Sequence, residues 1–231
     1  MKRLIDCCII CCLMMIGWGQ PVFSQETIIW NSVSLPVRFS SKWQMPFDIS
    51  YRTLGFSSAA YQYTIRTGLR RFFNETWSAA SGLALFYTRT AFDKADHEFG
   101  REFRLWQEIM AENKLGKGFV MHNRFRVEER FFAATEEKDR YLAIRLRYRL
   151  GVTKYLGERF RVQLAEEYME HYADDQFSFQ QNRVYVSAGF LLNKLTQLET
   201  GYIWSRIPGI NRHYLTFSFQ RTILVHGKRH V

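Results

Sequence analysis

Hydrophobic and polar residues alternate along most of the chain after residue 27. Almost every second residue is apolar or aromatic in four segments, which cover residues 43–51, 61–69, 142–150 and 184–190. Successive side chains of a β-strand point to opposite faces, so a period of two places the apolar side chains on one face. The pattern therefore predicts an all-β chain in which each strand has one apolar and one polar face.

The same pattern predicts eleven candidate strands, joined by turns and without a linker. They cover residues 27–39, 43–53, 61–72, 77–90, 99–111, 119–132, 140–151, 159–171, 182–192, 195–206 and 213–225. Bacterial single-chain membrane barrels have an even number of strands. We therefore expect an antiparallel up-and-down barrel of ten or twelve strands, with one candidate strand split or misassigned.

Two barrel architectures fit this alternation. A soluble barrel turns its apolar face inward, whereas a transmembrane barrel turns it towards lipid, encloses a polar lumen and carries aromatic girdles. Strands of about 10 to 13 residues suit a tilted crossing of a bilayer. Aromatic residues also recur near the ends of the predicted strands, as in an interfacial belt: Trp30, Trp43, Tyr51, Tyr61, Trp77, Tyr87, Trp204 and Tyr214. These features favour the transmembrane barrel.

Arginine and lysine occupy different parts of this pattern. Most arginines lie within predicted strands, whereas the lysines after the N-terminal segment fall in predicted turns, loops or the tail. These lysines are Lys42, Lys94, Lys114, Lys117, Lys138, Lys154, Lys194 and Lys228. Arginine forms several hydrogen bonds at once and tolerates a crowded, partly desolvated site better than lysine does. The division predicts a lumen packed with arginine and glutamate.

The predicted connections alternate between a short set that contains lysine and a longer set that is acidic. The acidic set contains Asp93, Asp96, Glu98, Glu136, Glu137, Asp139, Asp174 and Asp175. Outer-membrane barrels have short periplasmic turns and long outer loops. We therefore expect the acidic connections to lie on the outer side.

The first 24 residues have the pattern of a secretory signal peptide. Lys2 and Arg3 precede an uncharged apolar stretch at residues 7–18, and small residues lead up to a cleavage point after Ser24. A membrane anchor is the weaker alternative because the stretch is short of a full span. We expect a cleaved signal over residues 1–24 and one barrel domain over residues 25–231, with a basic tail at 226–231.

Composition then excludes several classes of protein. The chain is 47% hydrophobic and 16% aromatic, which excludes disorder. All four cysteines lie in the predicted signal, so the mature chain has no disulfide and no thiolate ligand. Neither a metal site nor a cofactor is expected. The net charge of +10 raises the question of nucleic acid, but the basic residues alternate along strands and form no single exposed stripe, so we expect no nucleic-acid partner.

The densest set of charged side chains lies on one face of the candidate strand 119–132. The next strand supplies further arginines on the matching face, and neighbours on one face of adjacent strands interact directly. So many arginines require carboxylates nearby. The expected lumen charge network comprises His122, Arg124, Arg126, Glu128, Arg130, Arg145, Arg147, Arg149, Glu102, Arg104, Glu108, Glu167, Arg183 and Glu199, with Glu166 as an alternative to Glu167.

This charged face has three interpretations: a salt-bridge ladder that fills a narrow barrel, an anion-selective pore or anionic ligand site, and an active site. Catalysis is the weakest interpretation because His122, His171 and His213 have no adjoining serine in a recognisable arrangement, and the chain has no G-x-S-x-G motif. We therefore expect no enzymatic activity.

Several short runs of residues resemble those of a known family. They are Trp30, R-x-W-Q at 104–107, R-x-R-x-E-x-R at 124–130, the pair Glu166 and Glu167, Q-N-R-V-Y at 181–185 and G-Y at 201–202. In order and spacing they resemble the uncharacterised bacterial domain of unknown function 2490, whose members look like outer-membrane β-barrels. The resemblance covers nearly the whole mature chain. It implies a barrel fold and an outer-membrane location, and it leaves the activity open.

Together these observations predict an integral β-barrel of the bacterial outer membrane that acts as a structural element or a narrow anion-preferring channel. Its expected partners are membrane lipid and an anionic solute. Two other functions stay open. One is a lipid-modifying outer-membrane enzyme that uses His122 or His171 with a neighbouring carboxylate. The other is a soluble periplasmic ligand-binding barrel with an apolar interior.

Overall fold

Every regular element that the structure describes is a β-strand. The computed structural model describes residues 24–56, 60–89, 99–135, 138–173 and 175–225. Apart from Ser24, the predicted signal peptide lies outside these residues, as does the predicted basic tail at 226–231. No helix in the described ranges is long and apolar enough to cross a membrane.

The strands follow one another in the order expected of an all-β chain. They are β1 Ser24–Ser34, β2 Val37–Arg38, β3 Trp43–Met45, β4 Phe47–Leu54, β5 Ala60–Phe72, β6 Trp77–Arg89, β7 Phe99–Gly116, β8 Phe119–Phe132, β9 Tyr141–Leu156, β10 Phe160–Ala173, β11 Gln176–Asn193, β12 Thr196–Ile207, β13 Ile210–Arg221 and β14 Ile223–Leu224. Within the described part of the chain, eleven long strands, β1 and β4 to β13, form one closed sheet. The predicted all-β barrel is confirmed.

The short strands β2, β3 and β14 continue β1, β4 and β13. Pro36 separates β1 from β2, and Pro46 separates β3 from β4. Proline has no backbone N–H and cannot donate to the ladder, so a strand is interrupted where one occurs. These two breaks, with a third at Thr222 between β13 and β14, divide the strands of an eleven-stranded barrel into fourteen segments.

The barrel closes through one parallel pair of strands, which we call the seam. β1 pairs parallel with β13, with Ile28 opposite Tyr214, and pairs antiparallel with β4 on its other side. All other long strands pair antiparallel with their sequence neighbours. The expectation of ten or twelve strands was wrong, because an odd number of strands closes when the first and the last run in the same direction.

The alternating direction of the strands sorts the connections into two sets. One end of the barrel, the short-turn end, carries the connections at 39–42, 73–76, 117–118, 157–159 and 194–195. The other, the long-loop end, carries those at 55–59, 90–98, 133–140, 174–175 and 208–209. The chain enters β1 at the long-loop end and leaves β14 at the short-turn end, as an odd number of strands requires.

Most of the apolar side chains of the strands face outward. Phe47, Ile65, Leu146 and Phe217 all lie on the outer face, where Ile65 is 42% exposed and Phe217 is 48% exposed. The intervening residues, such as Arg66, point to the concave side. A soluble barrel has the opposite polarity, so this surface is inverted relative to that of a soluble protein.

The interior also contains two small apolar clusters. The first consists of Ala80, Ala84, Phe86 and Trp106. Trp106 lies against a pair of facing glycines, because a Cβ atom at Gly68 would meet its ring at 2.7 Å and one at Gly82 would meet it at 2.6 Å. The second consists of Ile28, Ile203 and Tyr214, with Trp30, Leu54, Tyr61 and Tyr185 packed against it.

Two further details of the sequence-based prediction were wrong. Trp30, Tyr61 and Tyr214, assigned to an outer aromatic belt, pack inside the barrel. A register shift after Arg52 changes the alternation where β4 meets the start of β5.

Lys114 and Lys154 lie in β7 and β9, not in turns, because these strands extend about five residues beyond their predicted ends.

Disulfide trapping tests the seam. Ser32 is paired with Ser218 across the seam and with Ser50 on its other side. A disulfide joins Cα atoms that are roughly 4.4–6.8 Å apart. Neighbouring strands, at about 4.8 Å, fall within this range, whereas strands two apart, at about 9.6 Å, do not. In the chain from Gln25 onward, which has no other cysteine, Ser32→Cys with Ser218→Cys should cross-link under mild oxidation. Ser50→Cys with Ser218→Cys is the control and should not. The reverse result would indicate a ten-stranded barrel without β1.

Candidate functional site

Four carboxylates point into the lumen from three strands. β7 supplies Glu102 and Glu108, β8 supplies Glu128 and β10 supplies Glu167, and all four are at least 94% buried. They fall at inward positions of the alternation, where they meet arginines from the neighbouring strands. We call the resulting set the network: these four glutamates with Arg70, Arg104, Arg124, Arg126, Arg130, Arg145 and Arg147.

Glu128 is the centre of the network. One of its oxygens accepts from Arg147 Nη1 at 2.6 Å, and Arg145 binds the other. Arg104 approaches at 3.3 Å and Arg126 at 3.6 Å. A single carboxylate therefore ties together guanidinium groups from β7, β8 and β9.

The two carboxylates of β7 each bind two arginines. Glu102 accepts from Arg104 Nε at 2.5 Å and from Arg130 Nε at 2.5 Å. Glu108 accepts from Arg126 Nη2 at 2.5 Å and also from Arg70 of β5, two strands away. The network therefore reaches from β5 to β8 along this part of the wall.

Glu167 extends the network to β10 and β11. It is fully buried and lies 2.6 Å from Arg124 Nη2 and 2.7 Å from Arg147 Nη2. The hydroxyl of Tyr185 on β11 donates to its second oxygen at 2.6 Å. Arg147 bridges Glu167 and Glu128, so the ion pairs form one continuous chain across the interior.

Charged groups can stay ionised in this interior only because each carboxylate has several partners. Burial of an ion pair is costly unless its geometry is good and the remaining donors and acceptors are satisfied. The planar guanidinium offers five N–H donors and is always charged, so it can serve two carboxylates at once. Seven arginines face four glutamates in the network, so the described lumen carries an excess of positive charge.

Aromatic rings lie against several of the paired arginines as well. Arg104 lies over the ring of Phe86 at 3.4 Å, and Trp106 has Arg126 at 5.0 Å and Arg66 at 6.0 Å from its ring. A cation over an aromatic face is stabilised by the ring quadrupole, and more so when it is desolvated. The first apolar cluster therefore packs against arginines of the network.

Four residues of the predicted set lie outside the network. His122 contacts Thr153 Oγ1 at 3.1 Å and Glu112 at 3.5 Å. The other three are Arg149, which donates to Gln163 at 3.2 Å, Glu199, which pairs with Arg161, and Arg183, which lies over Tyr214 at 5.5 Å. Glu166, the alternative to Glu167, faces outward and accepts from Asn182 at 2.9 Å.

Sequence reasoning missed several inward residues. Arg70 belongs to the network, and Arg66 forms a separate ion pair with Asp48 at 2.8 Å. Both arginines lie on the polar face of an alternating segment, so the same period would have identified them. Tyr185 carries no charge, and only the three-dimensional packing indicates that it donates to Glu167.

This arrangement neutralises charge and stabilises the barrel. It is poorly suited to proton transfer. A carboxylate that accepts from two or more guanidinium groups is held in its ionised form. In the described ranges, no group of three or more His, Cys, Asp or Glu residues is placed to hold a metal ion. The charges of the network allow it to bind or repel other charged groups.

Glu128→Gln tests the importance of the central carboxylate. We expect the free energy of unfolding to fall by roughly 3 to 5 kcal/mol, since removal of one partner of a buried ion pair leaves the other uncompensated. The control is Glu129→Gln, the same change at the next residue on the outer face, which should stay within about 0.5 kcal/mol. Urea unfolding measures both. Equal losses would contradict the central role of Glu128.

Comparison with known proteins gives a family and no closer relative. No curated protein and no solved structure matches the chain. A family described as a protein of unknown function, DUF2490, matches residues 27–216, which span β1 to β13 and include the whole network. On this match, the chain belongs to the DUF2490 family of proteins of unknown function.

Proposed function

We propose that this protein is an integral β-barrel of the bacterial outer membrane whose lumen admits anions in preference to cations. The observation that carries the proposal is the inverted polarity of the closed sheet, with apolar side chains outside and paired charges inside. Monomeric soluble proteins rarely expose large continuous apolar patches. A lipid environment would cover this surface over its whole circumference.

The dimensions and the rims of the barrel support the same location. The long strands have 8 to 18 residues, and a tilted strand crosses a bilayer with about 9 to 11. Trp43 and Trp77 are exposed near the short-turn end, and Tyr63 and Tyr87 near the long-loop end. Aromatic side chains prefer the two membrane interfaces. We propose that the long-loop end faces outside and the short-turn end faces the periplasm.

The excess of arginine supports the preference for anions. Besides the network, Arg149 points inward, and its described contacts are with Gln163 and, at 4.1 Å, with the ring of Tyr185. Rings of arginine or lysine in a pore favour anions by electrostatic attraction. If the lumen proves closed to ions, the network retains a purely structural role.

One set of contacts favours the alternative of a lipid-modifying enzyme. Thr153, His122 and Glu112 lie in the order of a nucleophile, a base and an orienting carboxylate, at 3.1 and 3.5 Å. However, Thr153 is fully buried, and its hydroxyl also accepts from Gln163 at 3.1 Å. A nucleophile must reach its substrate, so we propose no enzymatic role for this set. The soluble ligand-binding barrel would need an apolar lumen, which the network occupies with charge.

Cell fractionation tests the location. The protein should be recovered in the outer-membrane fraction, and unboiled samples should migrate differently from boiled samples on gels, because a closed barrel resists detergent until it is heated. A double substitution of outward residues, Ile65→Arg with Phe217→Arg, should block insertion, since an arginine on the lipid face costs about 2 to 4 kcal/mol near the midplane. Recovery of the unmodified protein as a soluble periplasmic monomer would refute the proposal.

Planar-bilayer recordings test the preference for anions. The reversal potential in a salt gradient should indicate anion selectivity, and Arg149→Gln should reduce it by removing an inward charge without leaving a carboxylate unpaired. Arg206→Gln, which removes an exposed charge from the outer face of β12, is the control and should leave selectivity unchanged. Cation selectivity would contradict the proposed preference, and an electrically silent barrel would leave only the structural role.

A further inference from the structure

A second group of inward arginines lies away from the network, on the wall next to the seam. Arg52 of β4 is only 9% exposed and stacks on the ring of Trp30 of β1, with its guanidinium carbon 3.7 Å from the ring centroid. Its Nε atom is buried without a hydrogen-bond partner. No described side chain accepts from its Nη atoms either. Asp48, four residues earlier on the same face, is paired with Arg66.

Arg183 of β11 is the second inward arginine of this group. Its Nε atom is buried without a partner, and its guanidinium carbon lies over the ring of Tyr214 at 5.5 Å. Glu167 is its direct neighbour across the strands, but that carboxylate is already occupied by two arginines and a tyrosine hydroxyl. Among the described residues, no carboxylate lies within ion-pair distance of Arg183.

The aromatic rings beneath the two arginines contact each other. Trp30, beneath Arg52, contacts Tyr214, beneath Arg183, edge to face with 6.2 Å between ring centroids. Arg183 is also among the charges that act electrostatically on Arg52. We call Arg52 and Arg183 the cationic pair. Two like charges are thus held near each other inside the barrel, and no described carboxylate lies within ion-pair distance of either, although the charge of Glu167 acts on Arg183 from the neighbouring strand.

An apolar wall closes the space beside the cationic pair. Ile28 and Leu54 lie one inward position closer to the long-loop end than Trp30 and Arg52, and they pack with Ile203 and Tyr214. Apolar side chains therefore separate a group that reaches the pair from water at the long-loop end. The exclusion of water lowers the local dielectric and strengthens the attraction between an anion and the two guanidinium groups.

A buried or half-buried charge without a bound carboxylate is unfavourable, so two such arginines held together favour an anion beside them. The free N–H groups of a guanidinium match the paired oxygens of a carboxylate or a phosphate group. The geometry points to Arg52 and Arg183, backed by Trp30 and Tyr214, as a binding site for the oxyanion group of a small solute. This site deepens the proposed anion-preferring lumen and rests on that lumen being open to solute.

Calorimetric titration of the detergent-solubilised full chain with inorganic phosphate tests the site. We expect saturable binding of one phosphate per chain, weakened about tenfold or more by Arg52→Gln and by Arg183→Gln, and lost in the double variant, since the loss of one partner of a charged hydrogen-bonded pair has effects of this size. Arg206→Gln on the outer face is the matched control and should bind as the unmodified chain does. Undiminished binding by the double variant, or no binding by the unmodified chain, would overturn the proposal.

Thermal unfolding provides a second measurement that also shows that the variants fold. Because Arg52 has no carboxylate partner among the described residues, Arg52→Gln should unfold at the same temperature as the unmodified chain, or higher, in a buffer without phosphate. Added phosphate should raise the unfolding temperature of the unmodified chain and not that of the double variant. A large loss of stability in Arg52→Gln without phosphate would mean that the protein itself supplies the partner, which would refute the site.

The two proposals can fail separately. Fractionation and gel migration report on the membrane location and involve neither Arg52 nor Arg183. An outer-membrane barrel that binds phosphate equally well without the cationic pair would refute the site alone. A soluble protein that loses phosphate binding in the double variant would refute the membrane location and retain the site.

Discussion

Glu128 binds guanidinium groups from three strands in the middle of the lumen, and the arrangement of the barrel follows from the need to keep such groups paired. An unpaired carboxylate there would be more costly than any single apolar contact could offset. Each inward glutamate of the network must therefore lie opposite arginines of adjacent strands. This requirement fixes the register of β7 to β10, because a slip of one residue would turn every charge towards the outer face.

The seam allows the sheet to close into a barrel. Closure of a sheet removes its exposed edges, and eleven strands can close only if one neighbouring pair runs parallel. β1 fills that place between β4 and β13, and it contributes small polar residues, Ser32 and Ser34, and one ring, Trp30, to the interior. None of the described ion pairs involves β1. The interior thus has one side held by charge pairing and another side held by aromatic and apolar packing.

The sequence predicted the parts of this structure that depend on local alternation. The existence of nearly all the strands and the inward direction of the arginines on β8 and β9 follow from a period of two. The strand count did not, because pairing between β1 and β13 joins residues almost 200 positions apart, and no local pattern encodes it. The direction of Tyr61 was missed for a physical reason as well, since the register shift after Arg52 changes the alternation at that point. The full extent of the network was only partly predictable, because partners such as Arg70 depend on which strands are neighbours.

The division of the interior bears on what the lumen can do. On the side of β7 to β10, each arginine of the network is bound to a carboxylate that offsets part of its charge, and Arg149 is an inward arginine without a bound carboxylate. On the side of the seam, Arg52 and Arg183 have no such partner, and the aromatic rings beneath them offer only a partial substitute for a counter-charge. The electrostatic potential that an anion meets is therefore set chiefly by a few uncompensated arginines. A preference for anions then needs no ring of charge around the whole lumen, only a few inward arginines without bound carboxylates, with the network keeping the barrel rigid enough to hold them in place.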